Sequence, residues 1–211
     1  MNRNSMKTMV LATLLGATLA ATAGLSSAVA QSPGASKTDA IIEAMFAKVA
    51  PEWKARTVLD ETQRTCTEAR SQVSAKVADA LQAREMKTVV FPADGKFLGD
   101  WKKGYQVANS GRGWQFSDKA DTIPGGNCYA CHQMDPKELS YGTLGPSLAA
   151  YGKDRKGDAE SVKAAWVKLY NSNAAVACSN MPRFGVMKAL TEAQIKDVMA
   201  YLFDPESPVN K

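Results

Sequence analysis

Cys128-Tyr129-Ala130-Cys131-His132 is the stretch on which the reading of this chain turns. C-x-x-C-H is the pattern of covalent c-type haem attachment. Both thiols add to vinyl groups on one porphyrin edge, and the adjoining imidazole reaches iron from one face. His132 is the only histidine in 211 residues, so one position alone can supply an imidazole. The competing readings are weaker. A thioredoxin-like redox pair wants a strand–CxxC–helix context, but Pro124, Gly125, Gly126 and Asn127 precede Cys128. A zinc centre needs further protein ligands. With no second histidine, only Cys66 and Cys178 could complete one, as a set of four thiolates.

The other axial ligand is therefore not an imidazole, and thioether sulfur is the usual alternative. Met134 is too close to His132 to cross to the opposite haem face. Met45 and Met86 lie in an N-terminal extension, and Met199 falls on the apolar stripe of the last helix. Met181 and Met187 remain. Met181 precedes Pro182 within the non-helical stretch Cys178-Ser179-Asn180-Met181-Pro182-Arg183-Phe184-Gly185, which can wrap over a ring. That context makes Met181 the candidate ligand, although methionine ordinarily serves as core filler. Gly145-Pro146-Ser147-Leu148 brings the chain back beneath the imidazole. A carbonyl there could accept the ring Nδ1–H and set its tautomer; a plain Gly-Pro turn is the equal alternative. Arg183, Tyr151 and Lys153 are candidate partners for haem propionates, Arg183 first because it adjoins the Met181 loop. Solvated surface is the ordinary state of a lysine such as Lys153.

Periodicity predicts helices and no strand of useful length, so the expected fold class is all-α. Thr38 reads as an N-cap, followed by Ile41, Ile42, Met45, Phe46 and Val49, with Pro51 as the stop. A longer pattern runs from about Asp60 to Met86, with Cys66, Val73, Val77 and Leu81 along one side. Phe91-Pro92-Ala93-Asp94-Gly95 is turn material. Further helices are expected over Asp100 to Ser110 and Ser161 to Tyr170. The last is the best specified: Thr191 and Gln194 form a capping box, Leu190 and Ile195 a staple, and Asp204-Pro205 a stop. This divides the chain into a leader (1–30), a helical extension (31–92) and a haem domain (93–211).

The leader reads as a secretion signal. Arg3 and Lys7 precede an apolar run from Met9 to Leu19, and Ala28-Val29-Ala30 is a small-residue cleavage site. The run is too short to span a bilayer. A cleaved, soluble periplasmic protein is expected. Loss of Arg3 and Lys7 would lower the net charge from +5 to +3. The remaining basic residues are scattered without a dense run, which argues against nucleic-acid binding. In an oxidising compartment disulfides persist, and Cys66 and Cys178 are the two cysteines left over. A bridge between them would tether the extension to the Met181 loop; two separate buried thiols are the alternative.

Together the aromatic-bearing helix, CxxCH, Gly-Pro-x-Leu, Met-Pro and closing amphipathic helix resemble class I cytochromes c. Gly125 to Gln133, Ser140 to Leu148, Lys168 to Asn171, Ala177 to Gly185 and Asp204 to Asn210 are similar to SoxX. SoxX proteins are the small cytochrome subunits of the SoxAX complexes of bacterial thiosulfate oxidation. The likeness covers about residues 98–210 and leaves the extension outside. It implies one covalently bound haem c, held by Cys128 and Cys131 and ligated by His132 and Met181. It also implies a catalytic SoxA-like cytochrome as partner, a SoxYZ-like carrier protein, and a small cytochrome c as electron acceptor. On that reading the chain is the electron-transfer subunit of an L-cysteine S-thiosulfotransferase, with no catalytic residue of its own. A free-standing periplasmic shuttle and a haem sensor in which Met181 leaves iron are the other function classes.

Overall fold

A computed structural model describes residues 37–211, apart from Phe116, Ala120 and the side chain of Glu52. The expected secretion signal (1–30) lies outside the described residues. Helix α1 (Lys37–Met45) contains Thr38 in its first turn, where a cap was expected, and ends short of Pro51. Pro51 is not a stop but the first residue of a short helix α2 (Pro51–Lys54). Its missing N–H costs nothing there, because first-turn donors have no intrahelical acceptor.

The expected single helix from Asp60 to Met86 is two helices. Helix α3 (Glu61–Glu68) opens on a capping box between Asp60 and Gln63. Helix α4 (Ala75–Met86) restarts at Ser74, whose hydroxyl accepts from the Val77 N–H. Between them Arg70 and Ser71 both take left-handed backbone conformations, φ 49° and 60°, through which a right-handed helix cannot pass. The proposed common face is lost with the helix: Leu81 is buried, but Val77 is exposed.

The expected haem domain follows the turn at Pro92–Gly95. Helix α5 (Trp101–Asn109) is capped by Asp100, and α6 (Tyr151–Asp154) is a single turn. Helix α7 (Ala159–Tyr170) is capped by Asp158, and α8 (Ser172–Ala175) follows at once. Helix α9 (Glu192–Phe203) carries the Thr191/Gln194 capping box and ends at Asp204, both as expected. No strand occurs among the described residues, so the fold is all-α.

Helices α5 and α9 cross and form the largest helix–helix contact. Gly104 sits at the crossing, where a Cβ would run into the Asp197 backbone and Tyr201. Around the crossing Ile195, Val198, Met199 and Tyr201 are fully buried with Trp166 of α7, each contributing about 2 kcal/mol or more by area removed from water. Phe97 meets the Trp166 ring edge-on at 5.5 Å, and the indole donates to the Val90 carbonyl. At the C-terminus, Asn210 donates to the Leu202 and Asp204 carbonyls while accepting from Gly152 and Lys153 N–H. One amide thus closes the end of α9 and the start of α6 together.

A disulfide joins Cys66 of α3 to Cys178, 112 residues apart. Cross-links closing loops of that size limit the unfolded chain strongly. Replacing both cysteines with serine should lower the unfolding free energy of the holoprotein by about 3–5 kcal/mol, read from urea denaturation. Intact-mass measurement after alkylation without reductant should show neither thiol labelled in the parent protein.

Candidate haem site

The attachment motif is a short 3-10 turn, Cys128–Ala130, entered from Asn127 in a left-handed conformation. The N–H groups of Cys131 and His132 both donate to the Cys128 carbonyl. The glycines before the motif have a packing reason. Gly125 passes so close to the end of α5 that a Cβ would collide with Ser110, and Gly126 N–H donates to the Val107 carbonyl. Tyr129 turns inward, its hydroxyl 2.7 Å from that of Tyr201 and accepting from the Asp135 N–H. Burial pushes both phenols above their ordinary range, so the pair is neutral and locks the motif to α9.

The segment after the motif folds back along it. Gly142 N–H donates to the Tyr129 carbonyl, Gly145 N–H to Cys131, and Leu148 N–H to Gln133. This brings the Pro146 carbonyl 2.7 Å from His132 Nδ1. A carbonyl only accepts, so Nδ1 carries the hydrogen and Nε2 keeps its lone pair. Of the two readings of Gly145–Leu148, the geometry is that of a second-sphere acceptor. A Cβ on Gly145 would fall on the His132 ring, and one on Gly142 on the Ala130 carbonyl.

The methionines sort cleanly. Met134 and Met199 are buried in the core; Met45, Met86 and Met187 are exposed. Met181 is partly buried against the core, with its carbonyl accepting from the Ser172 hydroxyl at 2.5 Å and its N–H donating to Ser179 Oγ. Just beyond it, Gly185 lies under the Tyr170 ring and donates to the Tyr170 carbonyl.

Arg183 is not available as a propionate partner. Its guanidinium is buried and already ion-paired with Asp60 and Glu85 of the extension. Tyr151 packs edge-on against Phe203 beneath the Arg155 guanidinium, and Lys153 is exposed. Trp114 is half-buried, donates to the Ala189 carbonyl and stacks under Arg56, which also covers Trp53. It is packed into the fold. No motif marks Glu85, and Asn171 closes the SoxX-like stretch Lys168 to Asn171 without any sign there that its amide is buried against Glu85.

These residues fit a covalently bound haem. Cys128 and Cys131 form no disulfide with each other. Burial pushes the Cys128 thiol up to about 12, unlike the depressed values of redox-active CxxC pairs. Cys66 and Cys178 are spent on their own bridge, so a four-thiolate zinc site is ruled out. Ile123, Leu139 and Leu144, on segments flanking the motif, are 78%, 94% and 90% exposed, an apolar rim suited to a macrocycle.

The cytochrome c family matches residues 111–204, which contain both motif thiols, His132 and Met181. An uncharacterized lipoprotein of Aquifex aeolicus (strain VF5) is 40% identical over 161 residues, 75% of this chain and 76% of that protein. Only 101 residues lie from Gly111 to Lys211, so this likeness reaches roughly sixty residues further back, into the extension. Residues 111–204 are a cytochrome c domain of the class I-like, all-α type, and the chain belongs to one family with the Aquifex lipoprotein.

Proposed function

We propose that this chain is the electron-transfer subunit of a periplasmic SoxAX-type complex that oxidises thiosulfate. A cytochrome c domain carries haem c and transfers electrons; the finer reading adds the donor and the partners. The observation that carries it is the run of SoxX-like segments around one histidine whose Nδ1 is already bonded to Pro146. Bound haem c supplies a one-electron iron couple. Cys128 and Cys131 would hold it covalently, and His132 Nε2 and the Met181 thioether would be its two protein ligands to iron. Thioether ligation raises the potential relative to two imidazoles, which suits an acceptor of electrons from sulfur chemistry.

An iron held by His132 and Met181 would have no open position, so in this reading the bond-forming step belongs to a SoxA-like partner. There a carrier-protein thiol on a SoxYZ-like protein joins thiosulfate: one S–H bond breaks, one S–S bond forms, and one proton and two electrons leave. This chain accepts those electrons singly and hands them to a small cytochrome c. In this reading the chain is exported. The relative's printed name adds support for export.

Met181→Ala should abolish the Met-to-iron charge-transfer band of the ferric protein, and a band that survives intact would remove Met181 as the ligand. Gly145→Ala places a methyl on the His132 ring and should destabilise the holoprotein by about 2–4 kcal/mol, seen in denaturant unfolding. Affinity capture of the native protein should bring down a second haem protein; a monomer reduced equally by unrelated donors would favour a free-standing shuttle instead.

A further inference from the structure

The extension holds none of the haem ligands, yet it grips the loop that bears Met181 at several points. Arg183, two residues past Met181, is only 7% exposed and sits between two carboxylates of the extension. Its Nη2 is 2.5 Å from Asp60 Oδ2 and its Nη1 3.6 Å from Glu85 Oε2. Glu85 is itself 6% exposed. Its Oε1 accepts from the Thr62 hydroxyl, and its Oε2 accepts from Asn171 Nδ2 at 2.7 Å. Asn171 is fully buried and adjoins Ser172, whose hydroxyl holds the Met181 carbonyl. Glu85 therefore reaches Met181 from both directions, through Arg183 and through Asn171–Ser172. The Cys66–Cys178 bridge adds a covalent tie three residues before Met181.

A buried ion pair barely offsets its own desolvation when compared with apolar packing of the same volume. What it adds is one geometry: Arg183 can satisfy Asp60 and Glu85 together only with the loop in one position. We infer that the extension is a positioning element for the loop bearing the second iron ligand, and that Arg183, held between Asp60 and Glu85, is the residue that keeps Met181 over the iron. This rests on Met181 being the ligand. A thioether is a weak ligand, so the affinity of an external competitor reports directly how often the loop stands open.

The experiment is an imidazole titration of ferric holoprotein, followed by loss of the Met-to-iron charge-transfer band. Arg183→Met should bind imidazole about ten-fold more tightly or better, a normal size for coupling between two sites. Asp60→Asn removes one tie and keeps the Arg183–Glu85 pair, so it should shift in the same direction by less. It also reads the coupling if Arg183→Met does not fold. Lys196→Met breaks ion pairs with Asp94 and Glu192 elsewhere on the surface and should leave imidazole affinity unchanged. A band abolished in Met181→Ala, with parental affinity in Arg183→Met and Asp60→Asn, overturns the positioning role alone. An equal rise in Lys196→Met also overturns it, by showing general loosening. A band that survives in Met181→Ala overturns the ligand reading and this one with it.

Discussion

His132 has two ring nitrogens, and the fold must leave one of them bare and hold it still. The bond from Nδ1 to the Pro146 carbonyl does both. It places the hydrogen on Nδ1, leaves Nε2 as the basic nitrogen, and stops the ring from turning about its own bond. An acceptor here strengthens the imidazole as a ligand. To deliver one carbonyl to that spot, the chain must return against the motif closely enough for Gly142 and Gly145 to be hydrogen-bonded to it. Side chains at either glycine would strike what lies beneath. The glycines are a consequence of the hydrogen bond, and the loop between His132 and α6 follows from both.

The motif has an inner anchor as well as an outer one. Tyr129 lies between the two thiols in sequence and meets Tyr201 in the core, so α9 and the attachment turn share one hydrogen bond. Both phenols are neutral, because burial opposes ionisation of each. A neutral pair avoids the desolvation cost that a charge would bring to the same spot. Helix α9 is in turn set by its close crossing with α5 at Gly104. Haem ligation, helix crossing and core packing are thus one connected arrangement.

What was legible in the sequence shares a property: it depends on short spacings. The CxxCH turn, the Thr191/Gln194 box and the break at Asp204-Pro205 are each set within a few residues. The pairing of Cys66 with Cys178 is long-range, and it was reachable only because every other cysteine was already assigned. The failures are long-range or depend on backbone conformation. Nothing in Arg70-Ser71 forbids a helix; the chain turns there, with Ser71 N–H returning to the Cys66 carbonyl, and α4 then comes back to pair Glu85 and Arg84 with Thr62 and Glu61 of α3. Ser74 is the local hint of a restart. Pro51 was read as a stop because proline ends helices as readily as it begins them. Arg183 shows a third limit: adjacency to Met181 suggests haem, whereas its ion-pair partners in the fold are Asp60 and Glu85, over ninety residues away in sequence.

That last displacement bears on why the extension exists. A cytochrome c domain already has a core, a covalent cofactor and a proximal ligand fixed by Pro146. On the proposed ligation its weak point is the far ligand, Met181, carried by a loop with little secondary structure between α8 and α9. A disulfide at Cys178 limits how far such a loop can travel but leaves rotations about the tether. Ion pairs at Arg183 restrict those rotations, and a buried amide at Asn171 stiffens the helix junction from which the loop departs. The likeness to the Aquifex lipoprotein extends back into the segment that supplies these groups. The family unit is therefore larger than residues 111–204, and its added part packs against the loop that bears Met181.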